Sequence, residues 1–132
     1  MTIRKSSPLV ATLLAVGALL TISACGGDGA SAGTAPADVD VEVRAIDSIA
    51  WDAKSYTATA TDGSITLFGA NDSSLPHNVF VVDADGNDVG KSINLPTRGS
   101  SSTLEVKIAP GEYRIVCRIP GHTGMDSTLT VD

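Results

Sequence analysis

Four side chains in this sequence could do chemistry together: His77, Cys117, His122 and Met125. In GEYRIVCRIPGHTGM, Tyr113, Ile115 and Cys117 alternate with Glu112, Arg114 and Arg118, so the thiol arrives on the inward face at the end of a strand, just before a Pro-Gly turn. His122 stands five residues further on, across that turn, where its imidazole can fold back toward the sulfur. Met125 follows three residues later and opens the next strand. Forty residues before Cys117, LPHNVFVVD puts His77 at the start of an apolar strand, in phase with Val79 and Val81. One thiolate, two imidazoles and a thioether make the His₂Cys set with a weak axial Met that suits copper in a type 1 site. Soft sulfur favours Cu(I), imidazole serves both oxidation states, and ligands on strand ends and one short loop are held rigid. Zinc could use Cys117 and the two histidines, but a thioether serves it poorly.

Taken singly, each of these residues has a plainer role. Cys117 could be a small buried hydrophobe, Met125 a core methionine, and the histidines surface or core residues. Their order and strand-end placement favour ligation. Trp51 and Tyr56 read as core or edge packing. Asp83, Asp85 and Asp88 around Gly86 resemble a calcium loop only loosely, since no acidic residue closes it at the required spacing; a solvated hairpin turn is the expectation.

The elements that must position the four residues are strands. Val39, Val41, Val43 and Ala45 alternate with Asp40, Glu42 and Arg44, and Leu104, Val106 and Ile108 alternate with Thr103, Glu105 and Lys107. Ser55–Ala60, Ser64–Gly69, Asn78–Val82, Val89–Ile93 and Ser127–Val131 are further strand candidates. Asp62-Gly63, Asp85-Gly86, Arg98-Gly99, Pro110-Gly111 and Pro120-Gly121 are the turns between them. No segment supports a helix of three turns. Seven or eight short antiparallel strands in one domain, residues 38–132, predict an all-β sandwich. The 132 residues leave no room for a second domain, and apolar residues at 42% against charged residues at 18% are enough to build a core.

The amino terminus carries an address. Arg4 and Lys5 precede an apolar run from Leu9 to Ile22, 14 residues that are too short for a permanent span of roughly 20. The run ends in Ile22-Ser23-Ala24-Cys25, which resembles the bacterial lipobox. That resemblance implies a signal peptide over 1–24, cleavage before Cys25, and acyl chains on Cys25 that anchor the protein to the outer face of the cytoplasmic membrane. Residues 26–37, GGDGASAGTAPA, read as a flexible tether. Removing Arg4 and Lys5 leaves 7 basic against 15 acidic residues, a net charge of −8, the wrong sign for nucleic acid. A lipidated Cys25 also leaves Cys117 without a disulfide partner in an oxidising compartment, where a lone thiol needs a job.

The segments LPHNVFVV, GEYRIVCRIPGHTGM and the closing DSTLTVD resemble those of the cupredoxins, over the whole of 38–132. The spacing in CRIPGH resembles that of azurin, PHN resembles the first-histidine segment of plastocyanin and pseudoazurin, and the two-residue gap from His122 to Met125 resembles amicyanin. The resemblance implies a Greek-key sandwich holding one copper ion, with His77, Cys117 and His122 as equatorial ligands and Met125 axial. It implies a supporting role for Asn78, whose amide would donate to the sulfur while its side chain ties the two ligand segments together. It also implies that electrons leave through His122, ringed by an apolar patch of Leu75, Pro76, Ile119, Pro120 and Gly121. Arg118, where Thr or Ser is common, would face a partner or solvent.

Two histidines in all are too few for the oxygen-reducing cluster of a multicopper oxidase, and no second cysteine stands near Cys117 for a binuclear centre. An enzyme is therefore not expected. The leading expectation is a monomeric, membrane-tethered carrier of single electrons between protein partners. The alternative is a copper homeostasis or delivery lipoprotein, although such proteins usually expose Met- or His-rich clusters that are missing here. A metal-free adhesion sandwich would not require this ligand order.

Overall fold

A computed structural model describes residues 31–132; the signal segment, Cys25 and the first half of the expected tether lie outside the described residues. Among the described residues nine strands form two sheets: β1 (Val41–Ile46), β2 (Ala50–Trp51), β3 (Ser55–Ala58), β4 (Ser64–Asn71), β5 (His77–Val82), β6 (Ile93–Leu95), β7 (Ser101–Lys107), β8 (Gly111–Val116) and β9 (Asp126–Val131). One sheet has the order β2-β1-β4-β7 and the other β3-β9-β8-β5-β6. Two adjacent pairings, β1 with β4 and β3 with β9, are parallel, so the sandwich is not wholly antiparallel.

The inward faces close over a single core. Val43, Ala45, Leu67, Leu95, Val106, Ile115 and Leu129 are fully buried, and each larger aliphatic among them contributes about 1.5–3 kcal/mol relative to exposure. Trp51 and Tyr56 are buried with them. Trp51 Nε1 donates to the Ile115 carbonyl at 3.2 Å, and the Tyr56 hydroxyl donates to Asp52 at 2.7 Å. The Asp83–Asp88 segment is a turn: Asp83 accepts from the amides of Asp85 and Asn87, which holds its carboxyl below the usual range, and Gly86 takes a φ of 83°.

Several strand boundaries differ from expectation, β3 stopping at Ala58 and β4 running on to Asn71, and two differences change the architecture. The strand expected at Val89–Ile93 begins only at Ile93, because Val89 N bonds Val81 O and Asp88 bridges Val82, which uses up residues 88–92 as a return loop. The alternation through Val39 continues past the true start of β1: Val39 sits on the opposite, outer face of the sheet with Ala32, Ala35, Phe68 and Ala70.

That outer cluster corrects the reading of residues 31–37 as free tether. Asp72 accepts from Ala32 N at 2.7 Å and from Ser31 Oγ at 3.1 Å. The Arg44 guanidinium donates to the carbonyls of Ala32 and Gly33 and to Asp72, and lies 5.9 Å over the Phe68 ring. The segment is a strap over Phe68 and Ala70, and its small residues are what allow it to lie flat there. A soluble fragment starting at residue 38 will therefore be less stable than one starting at residue 31 by ~2–4 kcal/mol, from the bared apolar area and the lost hydrogen bonds. Equal urea midpoints for the two fragments would show that the strap contributes nothing.

Candidate metal centre

At one end of the sandwich, β5 begins at His77 and β8 ends one residue before Cys117. The register Phe80↔Val116 brings Asn78 opposite Arg118, and Asn78 Oδ1 accepts from Arg118 N at 2.7 Å, so one side chain joins the two ligand segments. His122 reaches back through a tight turn in which its amide bonds Ile119 O at 3.0 Å. Pro120 sets the first turn angle, and Gly121 takes the second at a φ of 88°. No atom stands within 4 Å of a Cβ built on Gly121, so its backbone angle, not space, demands glycine. The loop closes where Met125 N bonds His122 O at 2.9 Å and Cys117 N bonds Met125 O at 3.1 Å, which locks Cys117, His122 and Met125 to one another through the backbone.

The side chains converge. Donor atoms of His77, Cys117 and His122 all lie within 4.8 Å of one another, and all three residues are buried. His122 Nδ1 is 3.6 Å from Cys117 Sγ and 3.2 Å from His77 Nδ1. These are separations that one small cation can bridge with bonds of about 2.0 Å to nitrogen and about 2.3 Å to sulfur. Burial, reinforced by His122, lowers the His77 pKa, which leaves a lone pair on the ring at neutral pH. His77 Nε2 is buried and, among the described residues, has no hydrogen-bond partner. A buried knot of facing lone pairs without a carboxylate is poorly satisfied by itself and well satisfied by a cation. The Met125 side chain is buried, 1% exposed, in the core cluster that also contains Cys117.

Other residues fall differently from expectation. Among the described residues no hydrogen bond joins the Asn78 amide to the Cys117 sulfur; the sulfur's partner is His122 Nδ1. Arg118, exposed, is not free: it pairs with Asp88 and lies 4.5 Å over the Phe80 ring, which pins the return loop before β6 to the strand leading to Cys117. Sequence alone does not single out Asp88 as its partner, because the two residues are thirty positions apart and only the fold brings the turn around Gly86 beside Cys117. Leu75, Pro76, Pro120 and Gly121 are exposed, whereas Ile119 is half-buried and packs against the core. Among the described residues, Ile46 at the end of β1 and Leu75 are the large apolar side chains left exposed, 37% and 40%. Trp51 packs near the site, its ring centroid 6.4 Å from that of His77. Only the inward position of residue 51 in a two-residue strand would have signalled this, and so short a strand leaves no periodic trace.

No protein-family model matches the chain, and no curated protein matches it in sequence. Solved structures do match. An auracyanin from Roseiflexus castenholzii is 24% identical, with a TM-score of 0.60, over 69% of this chain and 94% of that one. Auracyanin A, a blue copper protein from Chloroflexus aurantiacus, is 19% identical at a TM-score of 0.58, over 70% of this chain and 97% of that one. The fold is the cupredoxin fold. An azurin from Methylomonas sp. strain J extends the cupredoxin likeness, at 16% identity and a TM-score of 0.59, over 73% of this chain and 99% of its own.

Proposed function

We propose that this cupredoxin-fold chain carries single electrons between redox proteins outside the cytoplasmic membrane, using one copper ion and a lipid anchor on Cys25. The observation that supports this most directly is the convergence of His77, Cys117 and His122 within 4.8 Å, all buried. These three residues would hold the ion, with Met125 as the weak axial donor, and copper bound there would supply a one-electron couple. The chain's own contribution is rigidity and exclusion of water. Both ligand segments are tied by Asn78, and the backbone bonds of Met125 fix the loop, so the donors change little as charge changes. His122, at 7% exposure against 2% for His77, offers the ring edge nearer to solvent and is the exit we assign to the electron. No bond is made or broken in such a role, and the reading is of a carrier, not an enzyme.

The test is the addition of Cu(II) to the purified fragment 31–132. An intense visible thiolate-to-copper band with narrow copper hyperfine splitting is expected; a colourless product would sink the carrier reading. Within the same system, Met125→Leu should keep the colour and raise the reduction potential, because loss of a weak axial donor disfavours Cu(II). Voltammetry reads this directly, and an unchanged potential would make Met125 a packing residue.

A further inference from the structure

The strap ends where the metal site begins. Ala32 is held by Asp72, the residue after β4, and the neighbouring Asn71 side chain donates to the carbonyls of Leu75 and Leu95. Leu95 is the register partner of His77. The chain therefore enters the domain at the metal end, runs along the outer face toward Asp40, whose amide bonds Thr66 O, and only then turns back as β1, parallel to β4. Further bonds hold this corner: Arg98 donates to the Asp72 carbonyl and to Asp47, and Asp47 accepts from Ser74 N at 3.2 Å. The carboxylates here are paired, Asp72 with Arg44 and Asp47 with Arg98, so the corner carries little uncompensated charge. The two large apolar side chains exposed among the described residues, Ile46 and Leu75, stand at the same end, one closing β1 and the other two residues before His77.

We propose that the strap hangs the domain from the bilayer by its metal end, so that the apolar face around Leu75 receives a redox protein embedded in that same membrane. This rests on the reading of Cys25 as the lipidated residue. A free tether over 26–37 would let the domain present any face. The strap leaves only residues 26–30 between anchor and clamp, and that length spans at most roughly 20 Å and averages roughly 13 Å. Eight-residue β4 alone extends roughly 26 Å, so the opposite end of the sandwich is carried away from the membrane and the metal end is kept near it. A partner with its docking face at headgroup level meets this surface at high effective concentration; a partner free in solution gains nothing from it.

The chain supplies its own reporter, because Trp51 is its only tryptophan and packs beside His77. Full-length lipidated protein, free of metal, is placed on vesicles containing dansyl-headgroup lipid, with and without about thirty Gly/Ser residues inserted between Gly29 and Ala30. Energy transfer from Trp51 should fall at least twofold on insertion. With copper bound, electron exchange with a ferrocene-headed lipid should fall about tenfold, following the −3/2 power of tether length, while exchange with water-soluble hexaammineruthenium stays constant. Equal transfer and equal exchange for the two tethers, with both proteins floating with the vesicles, would overturn the orientation alone. Failure of the native chain to float would instead overturn the anchor and the orientation with it.

Discussion

Cys117→Ser will remove the visible copper band completely while leaving the sandwich folded. The band requires a thiolate bonded covalently to copper, and Cys117 is the free cysteine among the described residues. A serine hydroxyl is a hard donor that stays protonated at neutral pH, so it can neither supply the charge transfer nor favour Cu(I). Structure predicts little collateral damage. Cys117 is 6% exposed at the rim of the core, its backbone is fixed through Met125 O, and the shorter oxygen can still lie near His122 Nδ1. The expected stability cost is on the order of 1 kcal/mol. Copper affinity should drop at least a hundredfold, because the remaining site is two imidazoles and a thioether. Circular dichroism checks the fold, and absorption with copper titration checks the site; a variant that remained intensely coloured would place the ligand elsewhere.

The candidate ligand positions were legible in the sequence because strands with strict alternation lead into or out of them. Ile115 and Cys117 face inward in the sequence pattern and are buried in the structure, and Pro120-Gly121 announces the turn that returns His122. What stayed hidden depends on partners distant in the chain. Two parallel pairings, β1 with β4 and β3 with β9, leave no mark on period-two patterns, since alternation fixes which face a residue takes and not which strand lies beside it. The strap was unreadable for a related reason. GASAGTAPA has the composition of a linker, and only the outward apolar residues Phe68 and Ala70, forty residues away, show that something must cover them. Arg118 looked like a free surface charge because Asp88 and Phe80 reach it only through the fold.

Leu75→Asp will slow electron self-exchange at least tenfold and leave the visible spectrum intact. Leu75 is 40% exposed in the short loop between Asn71 and His77, so its side chain does not support the core, and the loop is held by bonds from the Asn71 and Ser73 side chains to the Leu75 backbone that the substitution keeps. Ile119, an equally apolar member of the patch, is a worse probe: it packs against the core, and a carboxylate there would mix unfolding with docking. In self-exchange two copies meet through the same face, so one substitution brings two like charges into contact. Both must also lose water if His122 edges are to approach. A tenfold slowing needs about 1.4 kcal/mol, modest beside those terms. The ligand donors are untouched, so the band should not move. Raising the ionic strength should recover part of the rate by screening the added charges, which separates repulsion from lost apolar contact. If the rate instead stayed at the wild-type value, the encounter would use another surface, and the exposure of His122 at this end would have to serve something other than electron exit.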